Sequence, residues 1–189
     1  MKSDFDAFCR ACFDYLAARR VPFLVIGGLA VIAVGEPRVT GDVDVVVFAS
    51  PKDVERLIAS AKKARFALDE AVERARFLQT GTLRMRRGLF QFDLIGASLP
   101  FERTALERSM RKRLFGRMVH LPTPEDLLLF KVLAGRDKDL VDAAGIIRRH
   151  GDALDLDYVR TTLRPICDLA EDLAPWRRLE QLLSKATPT

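Results

Sequence analysis

The chain has 189 residues, 49% of them apolar, which suits one domain or two small ones with a real core and argues against intrinsic disorder. A formal net charge of +5 favours anionic partners such as nucleotides, RNA or an acidic protein, although ordinary soluble proteins also carry such a charge. The longest uncharged stretch, Val21 to Gly35, contains Pro22 and a Gly-Gly break, and the acidic N-terminus from Lys2 to Asp6 lacks the apolar run of a signal peptide; no membrane association is expected, and the expected location is cytoplasmic.

In chain order, Ser3-x-x-Asp6 resembles a capping box that opens a helix to about Arg20. Phe5, Phe8, Cys9, Cys12, Phe13 and Leu16 recur there at helical spacing, which puts both cysteines of a C-x-x-C on the apolar face. No second C-x-x-C or nearby histidine completes a zinc set, and three cysteines in all agree with a reducing compartment. Val21 to Ile26 reads as a short buried strand. Gly27-Gly28 turns it into a helix over Leu29 to Val34, which Glu36-Pro37 ends. After Arg38-Val39-Thr40-Gly41, the run Asp42 to Phe48 is the next strand.

Ser50-Pro51-Lys52-Asp53 supplies a cap, a proline at the first helical position and an acid in the first turn, for a helix to about Arg65. A further helical stretch spans about Asp69 to Leu78. Thr82 to Arg86, Gly88 and Leu89 to Ile95 read as a hairpin, followed by a helix from Phe101 to about Met110 and a short strand or hairpin over Leu114 to Leu121. Thr123-Pro124-Glu125-Asp126 repeats the helix-start chemistry. Helices are then expected at 124–134, 138–150, 157–163 and 176–185. The shift near Leu121 divides an α/β part, residues 1–121, from a helical C-terminal part, residues 122–189, expected to pack on it.

The chemistry concentrates in Asp42-Val43-Asp44. Alternate residues of a strand share a face, so the two carboxylates project together while Val43, Val45 and Val47 face a core. Side-by-side carboxylates repel unless a cation or proton lies between them, and hard divalent cations that share ligands with phosphates suit them. Asp93 is a lone acid in the apolar strand Leu89 to Ile95, opposite in facing to Phe90, Phe92 and Leu94. If that strand pairs beside Asp42 to Phe48, Asp93 completes a three-carboxylate cluster; it also reads as a salt-bridge partner of Arg84 or Arg86. Gly27-Gly28 allows backbone N–H groups at a helix start to approach a phosphate.

Val25-Ile26-Gly27-Gly28, then Arg38-x-Thr40-x-Asp42-x-Asp44, then Asp93, resembles the nucleotidyltransferase superfold of DNA polymerase β, and is most similar to bacterial nucleotidyltransferases grouped with abortive-infection (AbiEii-type) toxins. The resemblance implies an α/β (α+β) fold, a mixed sheet with flanking helices and a helical C-terminal part. It implies Mg²⁺ or Mn²⁺ on Asp42, Asp44 and Asp93, an NTP cradled by Gly27 and Gly28, and transfer of its NMP to an acceptor hydroxyl with release of pyrophosphate. Many relatives have Gly-Ser where this chain has Gly28-Leu29. Arg38 either neutralises phosphate or anchors the carboxylate loop, and Thr40 is a hydroxyl near that loop. A second element, Lys131 through Lys138-Asp139-Leu140-Val141-Asp142, is similar to one that lies near the nucleotide in the toxin-like relatives, which implies triphosphate contact by Lys131 and orientation by Asp139; the alternative is solvated charges, with Asp137 capping a helix. The expected acceptor is RNA or protein, with an antitoxin protein as a further partner. A small-molecule acceptor of the antibiotic type and a catalytically silent nucleotide- or RNA-binding module are the alternatives. Basic residues at Arg84, Arg86, Arg87, Arg108, Arg111, Lys112, Arg113 and Arg117 read either as a track for an RNA backbone or as a solvated face pairing with Glu102 and Glu107.

Overall fold

The computed structural model describes residues 2–186; Met1 and residues 187–189, which the two expected parts include, lie outside the described residues. The chain divides into two compact units. One holds the residues up to Leu29 together with Val39–Leu121, and the other holds Ala30–Arg38 and the chain from Pro122 onward. The boundary after Leu121 coincides with the shift in composition, whereas Ala30–Arg38 groups with the helical unit rather than with the α/β part.

The first unit runs α1 (Lys2–Ala17), β1 (Phe23–Ile26), the start of α2 (Gly27–Val34), β2 (Asp42–Val47), α3 (Pro51–Ser60), α4 (Glu70–Thr80), β3 (Thr82–Arg87), β4 (Phe90–Gly96), α5 (Pro100–Glu107), β5 (Met110–Leu114) and β6 (Arg117–Leu121). The first four strands form a mixed sheet in the order β1-β2-β4-β3; β2 and β4 are parallel, and the other two pairings are antiparallel. β5 and β6 form a separate hairpin.

Alternation along the strands sets the faces. Val43, Val45 and Val47 of β2, Phe92 and Leu94 of β4, and Leu83 and Met85 of β3 are all buried on one side. The aromatic residues of α1 meet that side: Phe8 stacks on Phe90, Phe13 on Phe23, and Phe66 joins Phe8, Tyr15 and Phe92. Cys9 and Cys12 are fully buried in this packing. Burial, with Asp6 adding to it, pushes the Cys9 thiol up to about 12, and burial also raises Cys12, so neither is poised as a thiolate. Ser3 lies inside α1 and so does not cap it. The Ser50 cap forms as expected: its N–H donates to Asp53 Oδ2 at 2.9 Å, and Asp53 N–H donates to Ser50 Oγ at 3.3 Å.

The second unit contains the rest of α2, then α6 (Pro124–Ala134), α7 (Asp137–His150), α8 (Leu156–Leu169) and α9 (Ala174–Ala186). α6 starts on Thr123, whose Oγ1 accepts from Asp126 N–H at 3.2 Å, and stops at Gly135 with φ of 64°. α8 continues through Pro165, past the expected end at Leu163. Its buried stripe of Val159, Leu163 and Cys167 carries the helix across the missing N–H. No helix among the described residues is long and apolar enough to cross a membrane.

Candidate active site

Strand register builds one polar face from three strands. Asp44 of β2 is the cross-strand partner of Asp93 of β4, and Asp93 in turn is the partner of Arg84 of β3. One row along, Asp42 partners Gln91, and Gln91 partners Arg86. Residues directly opposite in a sheet share a face, so acids on β2, an acid and an amide on β4, and guanidinium groups on β3 lie side by side. Asp42 is exposed, Asp44 is half-buried and Asp93 is buried. The face opposite this one is the apolar core, which is why a one-residue slip of β2 or β4 is excluded.

The glycine pair approaches the same acids. Gly27 opens α2 with φ of +62°, and a Cβ added there would lie 2.0 Å from Asp44 Oδ2. A Cβ on Gly28 would lie 2.5 Å from Thr40 Oγ1. Neither position has room for a side chain while Asp44 and Thr40 stay where they are. Thr40 Oγ1 accepts from Asp42 N–H at 3.4 Å, which ties its hydroxyl to the segment entering β2.

Asp93 has its own partners. Arg84 grips it bidentately, Nε to Oδ1 at 2.9 Å and Nη2 to Oδ2 at 2.8 Å, and Gln91 Nε2 donates to Oδ2 at 3.1 Å. The hydrogen bonds to Asp93 raise the Arg84 pKa above its ordinary value. The cross-hairpin pairing and the approach to Asp44 therefore coexist, the first through side-chain contact and the second through strand register. Gln91 was not singled out in the sequence; its signal is the alternation that puts it two residues before Asp93 on the same face.

The second motif forms a buried ion network within the helical unit. Lys131 Nζ donates to Asp139 Oδ1 at 3.0 Å and reaches Asp142 Oδ2 at 2.8 Å. Arg136 pairs with Asp139, and Arg38 grips Asp142 at 2.8 and 3.1 Å. Lys131, Asp139 and Asp142 are each at most 4% exposed, so the reading of solvated charges fails for Lys131 and Asp139, while Lys138 is exposed. Burial acts to raise both carboxyls, but hydrogen bonds from Arg136 and Lys131 on Asp139, and from Arg38 and Lys131 on Asp142, outweigh it and leave both below the ordinary carboxylate value. Asp137 lies inside α7 rather than capping it. Asp142 was passed over as a site candidate, although its place three residues after Asp139 puts both acids on one helix face.

Of the remaining basic residues, Arg117 is taken by Asp14 at 2.6 and 2.9 Å. Arg111, Lys112 and Arg113 are exposed along β5. Glu102 is buried rather than on a solvated face, and its carboxylate accepts the N–H groups of Ser98 and Leu99 at 2.6 and 2.7 Å at the start of α5. A cavity of 540 Å³ in the helical unit, beside Arg148, Asp152 and Arg160, is lined by none of the candidate residues.

Among the described residues, no group of three or more His, Cys, Asp or Glu side chains is arranged to hold a metal ion. The donor chemistry of Asp42 and Asp44 nevertheless suits a hard cation: two carboxylates share a strand face, and the absence of a side chain at Gly27 lets the Asp44 carboxylate lie against the start of α2. Asp93 would join such a set only by exchanging Arg84.

No family model matches the chain, and no curated protein matches it by sequence. Solved structures do match. The solution structure of the antibiotic-resistance factor ANT(2'')-Ia superposes with a TM-score of 0.60 at 15% identity, over 90% of this chain and 97% of that one. The crystal structure of ANT(2'')-Ia in complex with adenylyl-2''-tobramycin gives 0.57 at 16% identity, over 85% and 97%. The lincosamide antibiotic adenylyltransferase LnuA, lincomycin-bound, gives 0.50 at 12% identity, over 75% and 94%, and an antigenic nucleotidyltransferase-like protein from Paracoccidioides brasiliensis gives 0.50 at 18%, over 92% of each chain. The strand order, the expected mixed sheet and these superpositions agree: the chain has the nucleotidyltransferase fold.

Proposed function

We propose that the chain is a nucleotidyltransferase that moves an NMP from an NTP to an acceptor hydroxyl and releases pyrophosphate. The observation that carries the reading is the Asp44–Asp93 register beside a glycine that leaves no space for a side chain against Asp44. Asp42 and Asp44 would hold Mg²⁺ or Mn²⁺, with Asp93 as a further ligand once Arg84 lets go. Such an ion supplies positive charge against the triphosphate oxygens. The N–H groups at Gly27 and Gly28 face the phosphates from the positive end of α2. Asp93 accepts the proton of the attacking hydroxyl as the new O–P bond forms and the bond between the α- and β-phosphates breaks. Thr40 orients the Asp42 segment. Arg38, held by Asp142, anchors the approach to β2 rather than serving as a mobile phosphate clamp. Contact of Lys131 or Asp139 with the nucleotide has less support, since each already satisfies the other.

A small-molecule acceptor is supported by the likeness to ANT(2'')-Ia and LnuA. An RNA or protein acceptor, in an AbiEii-like toxin with an antitoxin partner in the cytoplasm, is the second reading, favoured by the net charge of +5 and by exposed Arg111, Lys112 and Arg113. Incubation of the full chain with Mg²⁺, each labelled NTP in turn, and tRNA, lysate protein, aminoglycosides or lincosamides tests both. Label transfer with matching pyrophosphate is expected for one acceptor class. A metal-dependent thermal shift with NTP and no product from any acceptor would favour the silent binding module instead.

A further inference from the structure

A pocket of 350 Å³ adjoins the polar face on the side of α4 and β3, and the transfer chemistry leaves it without a role. Its charged lining is Asp69, Glu73, Arg76, Arg84 and Arg86. The two acids are consumed by the wall itself. Asp69 Oδ1 accepts the N–H groups of Ala71 and Val72 at 3.0 and 3.1 Å at the start of α4. Glu73 accepts Arg84 N–H at 2.8 Å and pairs with Arg76 at 3.1 Å. The arginines remain accessible: the side chains of Arg76 and Arg84 are 38% and 33% exposed. Arg86 is exposed, and its side chain makes no ion pair among the described residues. Arg86, with the guanidinium N–H groups that Arg84 and Arg76 do not spend on Asp93 and Glu73, leaves several planar donors around one polar hollow, which match a phosphate group that can accept several such bonds at once.

Position adds to composition. Arg84 lines this pocket and grips Asp93, so the pocket begins where the acid that would take the acceptor's proton ends. We infer that this arginine-lined pocket is an anion subsite that holds a phosphate ester group of the acceptor, with the acceptor's hydroxyl directed toward Asp93. The acceptor role rests on the transferase reading above; the anion site does not. The phosphate belongs either to a small sugar phosphate or to an RNA backbone.

Calorimetric titration of the full chain, with Mn²⁺ and a non-hydrolysable NTP present, against ribose 5-phosphate, a 5′-phosphorylated pentaribonucleotide and tobramycin, a polyamine, separates the sources. At least one phosphate ester is expected to bind more tightly than tobramycin. Arg86→Glu is expected to weaken it about tenfold or more while the affinity for the NTP analogue stays within about twofold. Binding of the sugar phosphate alone assigns a small acceptor, and binding of the oligonucleotide alone assigns RNA. Unchanged ester affinity in Arg86→Glu, a preference for tobramycin, or no ester binding would overturn the subsite. Ester binding without any binding of the NTP analogue would sink the transferase reading, and the acceptor role with it, while the anion site stood.

Discussion

Asp42, Asp44 and Asp93 on the sheet and Asp139 with Asp142 on α7 are both sets of carboxylates, and the sequence marks all of them but Asp142 as functional candidates. They differ in how deeply they are buried. On α7 the two acids and Lys131 are buried, and each acid accepts from Lys131 and from an arginine. On β2, Asp42 is exposed, Asp44 is half-buried, and the Asp44 carboxylate packs against the bare backbone of Gly27, where a Cβ would lie 2.0 Å from Oδ2. A buried charge cluster closed by its own counter-ions holds a fold together, whereas an exposed carboxylate such as Asp42 is within reach of a ligand from solvent. Asp93 stands between these cases, gripped by Arg84 yet in register with Asp44.

The comparison breaks most visibly through two opposite outcomes. Asp44→Asn should reduce nucleotidyl transfer by about a thousandfold or more while leaving the thermal midpoint nearly unchanged, as turnover assays and circular dichroism melts would read. Lys131→Met should do the reverse: a loss of about 3–5 kcal/mol in urea unfolding, because two carboxylates lose their shared buried cation, with measurable turnover wherever the protein stays folded. If Lys131→Met instead abolished turnover at full stability, the network would belong to the site. Gly27→Ala should lie between them. The residue's φ of +62° and the contact with Asp44 predict a stability loss of about 1–2 kcal/mol and at least a tenfold loss of activity, since the added Cβ displaces the carboxylate.

The smallest effect is on pH. Asp139 and Asp142 have folded-state pKa values below their ordinary 3.8, so the unfolded chain binds more protons in that region. Their contribution is present above 3.8 and is lost as pH falls through the depressed folded values. Acid unfolding of Lys131→Met should therefore begin at higher pH than in the unsubstituted chain. Coincident acid transitions would show that the network does not couple to folding.

Much of this was legible in the chain. The alternation in Asp42-Val43-Asp44-Val45 fixed both the acid face and the core face, and Gly27-Gly28 marked the close approach. Proline and serine or threonine caps placed α3 and α6. Other features depend on tertiary partners and left little local signal. Lys131 and Asp139 carried two readings, nucleotide contact and solvated charge, because charge alone does not report burial; only the apolar residues around them on α6 and α7 hinted at it. Asp93 carried two readings because strand register and cross-strand pairing place it next to Asp44 and Arg84 at once. The helix expected at 157–163 runs on through Pro165 because the buried stripe of α8 continues to Cys167. The pocket beside β3 draws residues from α4 and from the segment before it, which no linear motif joins.

The most direct measurement is a crystal structure of the full chain with Mn²⁺ and a non-hydrolysable NTP, with the metal located by anomalous scattering. The expected result is Mn²⁺ within coordination distance of Asp42 and Asp44, with the phosphates against the Gly27–Gly28 amides. Metal and nucleotide bound away from β2, with Asp42 and Asp44 contacting neither, would contradict it.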